Sequence, residues 1–179
     1  IRLGENGSWF NWKKWGNYKT KAYVSIKDID AITASGASDV HVINKIESSK
    51  IRINLSGASD FKGDISAGVI IYDISGASDC KSSVDANTIA ITGAGASKIE
   101  LAGKVDDLSV VISGASDAKL YNLISKGAIL KSSGASSIQA TVTEILKANS
   151  IGASSIDYKG NPNVQESNTS GASSIRHKN

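Results

Sequence analysis

Ser75-Gly76-Ala77-Ser78-Asp79-Cys80 is followed, nineteen residues on, by Ala94-Gly95-Ala96-Ser97-Lys98-Ile99. The tripeptide Gly-Ala-Ser that the two share begins eight times in the chain, at Gly36, Gly57, Gly76, Gly95, Gly114, Gly134, Gly152 and Gly171. Successive separations are 21, 19, 19, 19, 20, 18 and 19 residues. A period this short and this steady specifies a repeat architecture, in which each unit buries its apolar face against its neighbours.

Aligning the copies on their glycines exposes apolar columns. Four residues after each glycine stand Val40, Phe61, Cys80, Ile99, Ala118, Ile138, Ile156 and Ile175. Four before stand Ile32, Ile53, Tyr72, Ile91, Val110, Leu130, Ala148 and Ser167, and six before, in the middle copies, Ile51, Ile70, Ile89, Leu108, Ala128 and Leu146. Positions two apart share one face of a strand, so each copy carries an inward-facing alternation on both sides of its turn. Two helices need about 33 residues per repeat, which nineteen cannot supply. The leucine-rich signature is absent. β-Branched residues and period-two alternation favour coils of two or three short strands. Stacked at roughly 4.8 Å, such coils pair in parallel around a narrow apolar core, and eight would span about 40 Å. The fold expected is all-β, a single-stranded right-handed parallel β-helix of about 19-residue coils. Its handedness follows the rule for parallel crossovers.

The recurring turn has a structural reading. Glycine supplies a positive φ or a close backbone approach, alanine suits corners too crowded for a larger side chain, and serine satisfies corner backbone groups or forms a hydroxyl ladder.

Composition narrows the function. The chain has 179 residues, 40% of them hydrophobic and 21% charged, with a net charge of +3. Its lysines are scattered, the densest pair being Lys13-Lys14. Nucleic-acid binding calls for a concentrated basic stripe and is not expected. No apolar run reaches the ~20 residues of a transmembrane helix, and Ile1-Arg2-Leu3-Gly4-Glu5 carries no apolar signal core. A mature exported chain would read the same way. The single cysteine, Cys80, has no partner for a disulfide and no ligand-like spacing around it, and no cofactor is expected.

With its repeats laid out, the chain resembles a bacterial family known as putative auto-transporter adhesin, head GIN domain. The likeness rests on Ser35 to Asp39, Ser56 to Asp60, Ser75 to Asp79, Ser113 to Asp117, Ser133 to Ser137 and Ser170 to Ser174, and on Tyr158-Lys159-Gly160-Asn161-Pro162 near the end. It covers roughly residues 26–178. The resemblance implies an exported β-helix at the cell surface, on the outer membrane or in the periplasm, and carries over no catalytic residue. Residues 1–25 do not follow the repeat and read as a separate segment, belonging to this chain alone, before a β-helix over 26–179. Gly93-Ala94-Gly95-Ala96-Ser97-Lys98 departs from the usual serine and aspartate.

Two candidate sites stand out. Asp39, Asp60 and Asp79 follow consecutive turns, then Lys98, then Asp117. Stacked carboxylates would repel and could attract Ca²⁺, but the calcium-binding nonapeptide is missing. The plainer reading has each aspartate cap its own corner while Lys98 pairs with Asp79 and Asp117. Trp9, Trp12 and Trp15, all the tryptophans in the chain, lie among Phe10, Tyr18 and three lysines. They read either as a cap packed over the open end of the β-helix or on a second copy, or as a ligand-binding platform for a sugar, membrane or partner surface.

Catalysis is not expected. His41 and His177 sit at opposite ends of the array, and coils of 18 to 21 residues leave no room for loops walling a groove. Ser38-Asp39-x-His41 has the composition of a triad, yet alternation makes it a local strand edge. The function expected is an exported, non-enzymatic adhesin or binding scaffold, with a cell-surface glycan or protein as partner and a homo-oligomer as one possible form. The alternative is a polysaccharide-binding or polysaccharide-cleaving module of the cell envelope.

Overall fold

The computed structural model describes residues 21–25 and 28–179. Every regular element in them is a strand: β1 (Ala31–Ala34), β2 (Asp39–His41), β3 (Ile46–Leu55), β4 (Asp60–Ile74), β5 (Asp79–Gly93), β6 (Lys98–Ile112), β7 (Asp117–Gly134), β8 (Ser137–Gly152), β9 (Ser155–Lys159), β10 (Asn163–Gly171) and β11 (Ser174–His177). All pairings are parallel, each strand stacking on the one a coil before it. The chain is a single-stranded parallel β-helix.

Its register is the column alignment read from the sequence. Ile53 pairs with Tyr72, Tyr72 with Ile91, Ile91 with Val110 and Val110 with Leu130. Phe61 pairs with Cys80, Cys80 with Ile99 and Ile99 with Ala118. Between these ends the columns are buried, and Ile53, Tyr72, Ile99, Val110 and Ile138 are all at 0% exposure. Burial of one such side chain is worth about 1.5–3 kcal/mol, and a slip of one residue would turn every column out to solvent. The columns open only at the ends, where Val40 and Ile175 are half-buried and Ser167 is exposed.

The rungs are more continuous than two or three short strands. β4, β5 and β6 each run 15 residues, β8 16 and β7 18. Hydrogen bonding to the rungs on either side carries the ladder across each bend. Departures from the 19-residue period are absorbed by register shifts between Glu100 and Gly103 where β6 meets β7, within β7 against β8, and between Val164 and Glu166 where β10 meets β8. Between β7 and β8 the register shifts after Leu120 and again after Ser125, and is regular from Gly127 onward. The 20-residue coil and the 18-residue coil after it therefore leave the glycine corner and the sheet before it undisturbed.

At that corner all eight Gly-Ala-Ser glycines have φ between 76° and 89°. They stack so closely that a Cβ on Gly57 would lie 2.5 Å from the Gly36 carbonyl oxygen. The alanines, by contrast, are exposed. Crowding belongs to the glycine column, and the alanine column serves through its backbone, as when Ala58 N–H donates to Gly36 O at 2.7 Å and Ala77 N–H to Gly57 O at 2.8 Å.

Candidate functional site

The serine column turns inward, and six of its eight members close their own corner. Ser59 Oγ donates to Ser56 O at 2.8 Å, Ser78 Oγ to Ser75 O at 2.9 Å and Ser136 Oγ to Ser133 O at 2.8 Å. Hydroxyl-to-hydroxyl contact within the column is confined to Ser97 and Ser116, at 3.0 Å, among the described residues. These serines are committed to structure, and Ser38, bonded to Ser35 O at 2.7 Å, is no nucleophile for His41.

The corner bonds expected of the aspartates are therefore made by the serines just before them. Asp39, Asp60, Asp79, Lys98 and Asp117 do stack in register. All five are exposed. The ion pairs among the described residues lie elsewhere: Arg52 with Asp73, Lys81 with Glu100, Lys126 with Asp106 and Arg176 with Asp157. The expected pairing of Lys98 with Asp79 and Asp117 is not formed, since side chains pointing straight out from adjacent rungs meet only if they bend along the ladder. Asp39, Asp60 and Asp79 do not converge either. Among the described residues no group of three or more His, Cys, Asp and Glu side chains is arranged to hold a metal ion.

Two positions further along each rung runs a second outward ladder, His41, Lys62, Lys81, Glu100, Lys119, Gln139, Asp157 and Arg176. Scattered along the sequence, Lys62, Lys81 and Lys119 each stand five residues after a Gly-Ala-Ser glycine, a spacing that the sequence alone carries. Lys81 Nζ meets Glu100 Oε1 at 3.0 Å. That hydrogen bond, with the Lys81 charge, holds the Glu100 carboxyl below its ordinary range. A shallow groove of about 320 Å³ lies over this ladder at the amino-terminal end, lined by His41, Lys62, Asp64, Lys81 and Glu100 among others. At the other end, His177 Nε2 is 2.8 Å from Gly160 O and its ring lies 5.2 Å from Tyr158, while Lys159 sits 5.2 Å from the Tyr121 ring centre.

Cys80 is enclosed between Phe61 and Ile99 in its column, as expected. Burial pushes its thiol up to about 12, Ser82 pulling weakly the other way. Burial raises Tyr72 as well, and Tyr72 Oη and Ser82 Oγ have no hydrogen-bond partner among the described residues. Trp9, Trp12 and Trp15 lie outside the described residues. No described helix is long and apolar enough to cross a membrane.

Stacked polar ladders around a closed apolar core define a β-helical scaffold. By sequence the chain belongs to the family described as putative auto-transporter adhesin, head GIN domain, which matches residues 3–162. The match takes in most of residues 1–25, so that segment is family sequence and does not belong to this chain alone. Comparison with curated proteins finds no relative. Solved structures that share the fold include three from Parabacteroides. A putative adhesin from Parabacteroides merdae ATCC 43184 is 17% identical with a TM-score of 0.76, over 84% of this chain and 64% of that one. A putative lipid binding protein from Parabacteroides distasonis ATCC 8503 is 21% identical with a TM-score of 0.75, over 84% and 62%. A putative adhesin from the same organism is 18% identical with a TM-score of 0.76, over 83% and 64%. This chain thus spans less than two thirds of each of these proteins. The family and its structural neighbours are described as adhesins or binding proteins, not as enzymes.

Proposed function

We propose that the chain is an exported, non-enzymatic adhesin module of the bacterial cell envelope, presenting a rigid array of side chains to a cell-surface glycan or protein. The observation that carries this reading is the geometry of the outer face. Backbone pairing holds consecutive rungs at about 4.8 Å, so each outward column presents its side chains at fixed spacing along the stack. Such an array binds extended partners through many weak contacts. Its Gly-Ala-Ser serines and its thiol are taken up in corners and core. Trp9, Trp12 and Trp15 are the candidate ligand platform, within an amino-terminal segment over residues 1–25.

A lipid surface is a second reading, favoured by Val111, Ile129 and Ile145. Each is 42–44% exposed, and together they step diagonally across the sheet of β6, β7 and β8 beside Lys131 and Lys147. A glycan array, a reducing-end assay and vesicle co-sedimentation on the full chain separate the readings. Glycan retention without turnover, lost when the three tryptophans become alanine at an unchanged melting temperature, is the expected result. Retention on anionic vesicles alone selects the lipid reading, and release of sugar products overturns both.

A further inference from the structure

The two outward ladders beside the glycine corner are correlated in a way that neither shows alone. On β4 they present Asp60 and Lys62, on β5 Asp79 and Lys81, on β6 Lys98 and Glu100, and on β7 Asp117 and Lys119. Strand alternation sets the two members of each pair on the same outer face, about 6.7 Å apart along the rung. Each of these four rungs holds one acid and one base. Where the first ladder changes from acid to base, at Lys98, the second changes from base to acid, at Glu100, in the same rung.

Neutralisation within the chain explains only part of this. Glu100 relieves the repulsion of Lys81 and Lys119, and contacts Lys81. Lys98 interrupts a column of aspartates. Beyond Lys81, the Lys98 charge within the rung also helps hold the Glu100 carboxyl down, which favours one acid and one base on the same strand. The pattern does not continue on the sheet leading into the corner. There the corresponding outward pairs are Ile71 and Asp73, Ala90 and Thr92, and Ser109 and Val111, none of them of opposite charge.

A two-fold axis parallel to the β-helix axis does require both changes to fall in one rung. It sets two such faces against each other with rungs level and the columns exchanged. Asp60 then meets Lys62 of the partner subunit, Asp79 meets Lys81 of the partner subunit, and Lys98 meets Glu100 of the partner subunit, twice per rung by symmetry. An axis along the strands would instead set each column on itself and bring like charges together, Asp60 against Asp117 of the partner subunit and Lys62 against Lys119 of the partner subunit.

We propose that this face of β4 to β7 is the interface of a symmetric dimer, formed with a second copy of this chain about a two-fold axis parallel to the β-helix axis. The contact is ionic, and its affinity falls as salt screens it.

Sedimentation equilibrium of the 179-residue chain at about 0.02 M and about 0.5 M salt tests this. A dimer is expected at low salt, with Kd at least about tenfold weaker at high salt. Asp60→Lys separates the interface from the fold. Within the chain the new lysine lies between Asp39 and Asp79, which leaves the melting temperature unchanged or raised. Across the two-fold it faces Lys62 of the partner subunit, and the dimer is lost. Lys62→Asp, placed between His41 and Lys81, acts likewise. The double variant Asp60→Lys/Lys62→Asp restores opposite charge across the axis and regains the dimer. A chain that is monomeric at low salt, a dimer indifferent to salt or to Asp60→Lys, or a double variant that stays monomeric each overturns the proposal.

Discussion

Cys80 shows how a single position is governed by its column. Its thiol is 2% exposed, between Phe61 and Ile99 in the ladder and beside Ser82 and Tyr72. A buried thiol behaves as a small hydrophobe, since desolvation disfavours the thiolate. In the fold it holds its proton up to about 12, whereas the unfolded chain releases it near 9.0. Between those values the unfolded state binds fewer protons, so stability is full below about pH 9 and falls as pH climbs towards about 12. Tyr72 adds to the decline above its ordinary 10.0. Urea unfolding at stepped alkaline pH should show this slope, and Cys80→Ala should remove the part that begins near pH 9. At neutral pH a thiol reagent should leave Cys80 unlabelled until the chain unfolds. Rapid native labelling would mean that the column does not face inward.

The element that sets the period is the glycine corner. Two effects hold glycine there, and the first two copies separate them. Gly36 has φ +77° with nothing within 4 Å of an added Cβ, so Gly36→Ala meets only the left-handed backbone penalty of about 1–2 kcal/mol. Gly57 has nearly the same φ, +78°, but its Cβ would press on the Gly36 backbone. Gly57→Ala should therefore destabilise by at least about 1 kcal/mol more than Gly36→Ala. Equal losses in chemical denaturation would show that stacking contributes nothing to the glycine requirement. The serine that closes the same corner was legible as a residue serving the backbone. Which residue would do the work was not, because serine and aspartate both suit a turn and only the alternation of faces turns one in and the other out.

Across the whole molecule stability should depend on distance from the ends. Each middle rung contacts one neighbour above and one below, and its columns are closed on both sides. Ile91, 2% exposed in β5, has Tyr72 and Val110 as ladder neighbours. Ile91→Asp buries an unpaired charge, which should cost more than about 4 kcal/mol and abolish the cooperative thermal transition. Ile175 occupies the equivalent of Cys80 in the last rung and is half-buried, with Ile156 on one side only. Ile175→Asp should cost about 1–2 kcal/mol and leave a folded chain, as read by circular dichroism during heating. Comparable losses at the two sites would contradict a stack of nearest-neighbour rungs.

The sequence by itself determined the β-helix, its period, its parallel register and its buried columns. Each of these follows from repetition: a side chain recurring at the same offset from a stacked glycine must lie above its own kind, and alternation decides whether it faces in or out. Tertiary structure decided what repetition leaves open. It showed continuous bent rungs where short strands were expected, because ladder hydrogen bonds run through the bends. It assigned corner closure to the serines and left Lys98 without its expected partners. It also set the lysine ladder beside the aspartate ladder on one outer face. Charge on a surface becomes a pattern only when neighbouring rungs fix which groups lie side by side, and that adjacency is a property of the stack, not of any one repeat.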